Sequence, residues 1–485
     1  MKKTIIQSLI TLLLLAGCGA DRSYPGIFIG TPPADSAEIT SFRPENYGYI
    51  IFNPENRSVI KAHNIHESFI PASVSKIFTT VFALETLGAD YSFSTGILYA
   101  GSIRDGIIEG DLILRGGGDP ELNVRDLLKM VFELKAEGIK KIRGKFYYDT
   151  SSFEQKEVLD KGMPVNARYN PGYGPLNLNG NIICAVKEKD ETGKLISCFP
   201  VPAAPSISLY LYNEPPVYLY AKYKKRDNIE TWGLPANGCW KDGFQLPVKD
   251  SGRFTAQIFR KLCLIHGITL PLPENGRATN NTKILVQHKS RKLIDIIKDM
   301  LISSNNLTAE LLGTIASEKL RKPENEKTFS VENFFRLTFP SVKWDSFRLN
   351  SFSGLSDSNR ATPEQTAAML LYLNNLKEQG VTLANLLSLS GLDGTIKARF
   401  ENHETAFRVS AKTGTLYYAS ALSGEFTANS GKNYYFAIYI NDTEKRRLYM
   451  VSGNGNIGSA NSAEKWTARA VKSIDIYIRS QIEKL

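Results

Sequence analysis

Three short stretches of this 485-residue chain carry side chains that could work together on an acyl group. Ser73-Val74-Ser75-Lys76 sets a hydroxyl and an amine three positions apart. Ser304-Asn305-Asn306 pairs a hydroxyl with an amide, and Lys412-Thr413-Gly414-Thr415 puts a cation before small polar residues. In order and type they match the S-x-x-K, S-x-N and K-T-G patterns. A serine hydroxyl attacks poorly until a base takes its proton. A lysine is such a base only when loss of water and a second cation lower its pKa. Ser73 is therefore the candidate nucleophile, Lys76 its general base and Lys412 the second cation. Ser304 can relay a proton to a leaving amine, and Asn306 can orient Lys76 and bind a substrate amide. Thr413, Gly414 and Thr415 are the candidate substrate-binding residues, with Gly414 letting a substrate backbone approach closely. The N–H groups of Ser73 and Thr415 would form an oxyanion hole, worth about 3 kcal/mol per donor.

Spacing alone does not select Ser73, because Ser58/Lys61 and Ser462/Lys465 match S-x-x-K too. The elements around the residues do. Val74, Ile77, Phe78, Val81, Leu84 and Leu87 recur at helical spacing before Gly88, so Ser73 starts a helix with an apolar face. Ser73 and Lys76 then lie one turn apart on the same side, and the positive helix end faces whatever Ser73 attacks. Upstream, 47–62 reads as a hairpin turning at Asn53-Pro54-Glu55-Asn56. Helical runs at 293–301 and 307–320 break at Ser303-Ser304-Asn305-Asn306, and strands are expected at 407–427 and 433–441 before a helix from about 463. Between 95 and 285, short alternating runs lie among Gly, Pro and Asn clusters, which reads as a β-rich insertion.

The first 17 residues read as a signal peptide, with Lys2 and Lys3 before a short apolar stretch. Leu15-Ala16-Gly17-Cys18 places a cysteine at the expected cleavage point, so Cys18 is the candidate lipidation site. Gly19, where Asp would argue for inner-membrane retention, leaves the choice of membrane open. The chain as a whole has the 42% hydrophobic and 22% charged content of a globular protein, with no later transmembrane segment expected. Cys184, Cys198, Cys239 and Cys263 permit two disulfides in three connectivities, or four free thiols. A net charge of +10, spread along the chain, suits a neighbourhood of anionic lipid and cell-wall polymer, and export argues against nucleic acid.

Other patterns carry less. Gly453-Asn454-Gly455-Asn456-Ile457-Gly458 matches G-x-G-x-x-G but lacks the second strand and acidic residue of a dinucleotide site. His63 and His66 fit no zinc spacing, and neither metal nor cofactor is expected. Tyr210, Tyr212, Tyr218, Tyr220 and Tyr223 read as strand faces rather than a carbohydrate stripe, with Leu209 and Leu211 on the packed side.

Taken with Pro71-Ala72 ahead of Ser73, further stretches point to a family. They are Gly110-Asp111-Leu112-Ile113-Leu114, Gly116-Gly117-Gly118-Asp119-Pro120, Asp149-Thr150-Ser151 with Phe153, and Leu176-Asn177-Leu178-Asn179. Ser353-Gly354-Leu355-Ser356, Gly391-Leu392-Asp393-Gly394-Thr395 and Ala411-Lys412-Thr413-Gly414-Thr415 complete the set. The chain resembles the D-Ala-D-Ala carboxypeptidase/endopeptidase family of low-molecular-mass, class C penicillin-binding proteins over nearly its whole mature length. The resemblance implies an α+β fold, an α/β sandwich of penicillin-binding/serine β-lactamase transpeptidase type with β-rich inserted domains. It implies a linker at 18–40, transpeptidase-like parts at 41–94 and 286–485, and two nested domains within 95–285, the inner one at roughly 120–195. It implies peptidoglycan stem peptides as substrates, an acyl-enzyme on Ser73, β-lactams as covalent inhibitors, and a lipoprotein of the bacterial cell envelope facing periplasm or wall. Two features depart from the family pattern. Asn305 stands where Asp is usual, and 156–175 holds no Trp, with Glu157 and Asp160 its only acids. A β-lactamase would need a second base for deacylation, and no E-x-x-L-N pattern supplies one. A non-catalytic wall-binding lipoprotein predicts damaged motifs, and all three are intact.

Overall fold

The structure, a computed structural model, describes residue 39 and residues 41–485 apart from 194, 214–220, 237–242, 322–329, 377–380 and 452–456. The expected signal segment, Cys18, Cys239, Tyr218, Tyr220 and most of the 453–458 loop lie outside the described residues. Six antiparallel strands form the sheet bearing the third motif. They are β1 (Tyr47–Phe52), β2 (Val59–His63), β3 (Ser388–Leu389), β4 (Val409–Leu416), β5 (Ala419–Thr427) and β6 (Asn433–Asn441), ordered β3-β4-β5-β6-β1-β2 in space. The early strand β1 closes on the late strand β6, with Tyr47 opposite Ile440 and Phe52 opposite Tyr435.

Successive strand side chains point to opposite faces, and here both faces are covered. Ile50 and Phe52 of β1, with Tyr435, Ala437 and Tyr439 of β6, join one core. Tyr47, Tyr49 and Ile51, with Tyr434, Phe436, Ile438 and Ile440, join another. Strands buried on both sides read as continuous apolar runs, as these do. The first core is completed by α1 (Ser75–Leu87), α2 (Leu293–Ser303), α3 (Asn306–Leu320) and α4 (Pro363–Asn374). The second is covered by α5 (Ile457–Lys484), which starts earlier than the expected residue 463 and brings Trp466, Ala470, Ile474, Tyr477, Ile478 and Ile482 to the sheet. Gly88 ends α1 at φ 89°, its N–H returning to the Leu84 carbonyl at 3.0 Å.

The intervening chain is β-rich as expected and also holds two helices. A five-stranded sheet draws Ser94–Tyr99, Leu112–Arg115 and Phe146–Asp149 from its beginning and Pro273–Asn275 and Lys283–Lys289 from its end. Helices Val124–Ala136 and Ser251–Ile265 share its core. Two three-stranded sheets lie between 182 and 247. In one of them Leu209 and Leu211 pack inward while Tyr210 is 37% exposed, which is the strand reading of that tyrosine. Cys198 and Cys263 are free thiols, so a two-bridge framework does not form; burial pushes the Cys263 thiol up to about 12. No described helix is long and apolar enough to cross a membrane.

Phe78 lies within α1 against Phe335, Phe347 and Trp344. Phe78→Ala should cost about 3–5 kcal/mol, measured as the shift in urea unfolding relative to the unsubstituted chain.

Candidate active site

Ser73 sits in a 3-10 turn, Ala72–Val74, that runs into α1. Ala72 holds φ 46°, a left-handed conformation that a residue with a Cβ rarely adopts. Two glycines close on this turn from different sides. A Cβ at Gly354, itself at φ 83°, would stand 1.8 Å from the Ala72 carbonyl oxygen, and one at Gly414 would stand 2.3 Å from that of Pro71. The expectation for Gly414 was room for a substrate backbone. On the side where a Cβ would stand, the Pro71 carbonyl already fills the space, so the glycine also seats β4 on the Ser73 turn.

Lys76 is buried, and its amine has three partners. Nζ donates to Asn306 Oδ1 at 2.8 Å and to the Ser353 carbonyl at 2.7 Å, and lies 3.0 Å from Ser73 Oγ. Burial, then the nearby Lys412 charge, holds its pKa well below the ordinary lysine value, while Glu310 opposes the drop. Asn306 opens α3, and its Nδ2 donates to the Tyr169 carbonyl at 3.2 Å, so the amide presents its oxygen to Lys76. Ser304 occupies the break between α2 and α3 at φ 58°. Asn305 caps α3 by accepting from Thr308 N at 3.0 Å. Aspartate caps a helix equally well, so Asn305 in its place leaves the turn intact.

Lys412 is also buried, with a pKa lowered to about 7 by desolvation. Its Nζ donates to Ser304 Oγ and to the Thr413 carbonyl, both at 2.9 Å. Thr413 Oγ1 donates to Thr395 Oγ1 at 2.8 Å, and Thr415 is exposed. Strand β3 pairs only with Ser410 and Ala411, so from Lys412 onward that edge of β4 has no strand beside it among the described residues. The structure thus joins Ser73, Lys76 and Asn306 in one hydrogen-bonded cluster and Ser304 and Lys412 in a second, near enough for the Lys412 charge to act on Lys76, with Thr413 and Thr415 following Lys412 on β4.

A family model described as the D-Ala-D-Ala carboxypeptidase 3 (S13) family matches residues 37–452, which include all three motifs. The chain belongs to that family. D-alanyl-D-alanine carboxypeptidase DacB of Haemophilus influenzae is 27% identical over 430 residues, 84% of this chain and 88% of its own length. A D-alanyl-D-alanine carboxypeptidase of Actinomadura sp. is 25% identical over 453 residues, 85% of this chain and 78% of its own. The crystal structure of penicillin binding protein 4 (dacB) from Haemophilus influenzae superposes at TM-score 0.71 with 26% identity, covering 83% of this chain and 92% of that one. The fold is therefore the penicillin-binding, serine-transpeptidase sandwich with inserted β-sheets.

Several residues that the motifs do not contain complete the site. Ser353 supplies a carbonyl to Lys76 and Glu310 holds Ser353, while Thr395 meets Thr413. Thr79 donates to the Phe352 carbonyl at 2.6 Å and Asn359 donates to Ser75 Oγ at 2.9 Å, tying the 351–359 loop to α1. Ser353 and Thr395 stood in stretches that marked the family resemblance, without a role. In 156–175, Glu157 is paired with Lys225, and Asp160 accepts from Gly162 N at 2.7 Å. His63 bonds to the Pro44 carbonyl and His66 to Glu364, both at 3.0 Å. Among the described residues, no His, Cys, Asp and Glu group could hold a metal.

The depressed pKa of Lys412 has a consequence for stability. Between about 7 and the ordinary 10.5 the unfolded chain holds a proton that the folded chain has lost, so wild-type stability rises with pH across that window. The stability of Lys412→Met relative to wild type should fall steadily as pH rises through it. Urea titrations of both proteins at several pH values measure this, and a constant difference would exclude a depressed Lys412.

Proposed function

We propose that the chain is a serine D,D-peptidase of the bacterial cell envelope. It cleaves the D-Ala-D-Ala amide, or a D-centred cross-link, of peptidoglycan stem peptides through an acyl-enzyme on Ser73. One observation carries the reading. A neutral Lys76 amine has two hydrogens, and Asn306 Oδ1 and the Ser353 carbonyl can only accept, so its lone pair is left for Ser73 Oγ. The names of the relatives, D-alanyl-D-alanine carboxypeptidases, support the substrate class. Penicillin binding protein 4 of Haemophilus influenzae complexed with a β-lactam, 26% identical at TM-score 0.66, supports inhibition by that class of compound.

In the proposed reaction Ser73 Oγ passes its proton to Lys76 as the oxygen bonds to the amide carbon. Negative charge on the carbonyl oxygen meets the N–H groups of Ser73 and Thr415. The C–N bond then breaks, and the leaving amine takes a proton from Lys76 by way of Ser304, which Lys412 orients. Water adds to the ester, gives a proton back through the base, and releases the acid and free Ser73. Before the attack the peptide lies as an added strand on the open edge of β4, beside Thr413 and Thr415. Gly414 contributes by keeping that strand against the turn. No metal or cofactor is required. The chain divides at 41–94 and 286–485 around the insertion, and lipid on Cys18 keeps the enzyme at a membrane surface.

Ser73→Ala should abolish covalent labelling by fluorescent penicillin, and Lys76→Ala should slow it by about a hundredfold or more. Labelling of Ser73→Ala at the wild-type rate would sink the assignment. Purified muropeptides digested with a chain starting at residue 19 should release free D-Ala, cleaved cross-links or both. Release of neither would mark a binding protein on an enzyme's fold.

A further inference from the structure

Glu310 is 4% exposed on α3, one turn beyond Asn306, and no step of the acyl transfer uses it. Residues four apart on a helix share a face, and these two converge on the same amine by different routes. Asn306 reaches Lys76 directly. Glu310 reaches it through Ser353: Glu310 Oε1 accepts from Ser353 N at 2.9 Å and from Ser353 Oγ at 2.6 Å, and the Ser353 carbonyl accepts from Lys76 at 2.7 Å. The same carbonyl lies 3.4 Å from Ser73 Oγ. Ser353 is fully buried, so without the carboxyl both its donors would lack a partner.

We propose that Glu310 is a positioning residue for the general base: it takes both donors of Ser353, locks that residue's carbonyl onto the Lys76 amine, and acts on the amine with its charge. The inference rests on the reading of Lys76 as the base for Ser73. The electrostatics agree with the geometry. Burial and Lys412 depress Lys76, and Glu310 works against them. Burial raises Glu310, and the Ser353 and Phe352 hydrogen bonds and Lys76 work against that rise. Tyr173 and Lys156, on the segment packed against α3, are the other titratable groups that feel Glu310. A base is most effective when its pKa lies near the working pH. Glu310 thus checks a depression that two buried amines would otherwise carry too far.

Fluorescent-penicillin acylation rates measured against pH test the proposal in the full chain. Glu310→Gln removes the charge that favours protonated Lys76, so the acid limb of the profile should move to lower pH. Labelling amplitude counts folded sites, so a folding defect appears there and leaves the limb in place. Ser353→Ala keeps the charge but loses the hydroxyl bond, and should label about fivefold more slowly at wild-type amplitude. An unmoved acid limb in Glu310→Gln overturns the proposal. If that variant does not fold, a wild-type rate in Ser353→Ala overturns it instead. A wild-type chain that takes no label at all defeats the Ser73 reading, and this inference falls with it.

Discussion

Two lysine amines lie in the interior of the site, and their hydrogen-bond partners are hydroxyls, an amide and carbonyls. Burying a charge among such partners is costly, and the group responds by giving up its proton. That cost is what suits Lys76 to the proposed role of base, because a lysine left in water would hold its proton. Much of the surrounding architecture serves this constraint. Helix α1 must be buried on several sides to desolvate Lys76, and the sheet, α3 and the 351–359 loop supply those sides. The acceptors on the amine must be fixed in direction, which is why one comes from a helix start and another from a loop tied down by Thr79, Asn359 and Glu310.

The same constraint gives meaning to the chain's topology. The nucleophile turn follows the second strand of the sheet, whereas Ser304, Ser353 and Lys412 all come from beyond the insertion. Pairing of β1 with β6 joins the early and late parts across that interval. The insertion in turn packs back: Phe153, Leu159 and Tyr173 share a cluster with Leu307 and Leu311 of α3, and Tyr169 offers its carbonyl to Asn306. The inserted segment therefore braces the helix that carries Asn306 to Lys76.

How much of this could be read from sequence depends on which atoms act. In the proposed reaction Ser73, Lys76, Ser304, Asn306 and Lys412 work through their side chains, so residue type and order could single them out as candidates. Ser353 acts on Lys76 through a backbone carbonyl, which any residue possesses, and its stretch registered only as a family marker. Glu310 touches the base through Ser353, so no spacing from a motif pointed to it. The apolar runs of β1 and β6 and the capped end of α1 were legible because burial and chain reversal constrain composition locally. The reason for Gly414 was not, because the atom that excludes a Cβ belongs to Pro71, far away in the chain. The start of α5 was placed late for a related reason: helix ends depend on local capping more than on the apolar stripe.

The two amines also differ in what surrounds them. Lys76 is depressed by burial and by Lys412, whereas burial alone accounts for Lys412 at about 7. Glu310 works against the depression of Lys76, whereas Lys412 has no such carboxylate acting on it. A charged Lys412 favours the neutral form of Lys76, and its own hydrogens are committed to Ser304 and the Thr413 carbonyl. Division of labour between two like residues thus follows from their neighbours. Lys76 faces the Ser73 hydroxyl, next to acceptors that claim its hydrogens. Lys412 faces Ser304 and its own strand, and its two hydrogen bonds hold the S-x-N turn against β4.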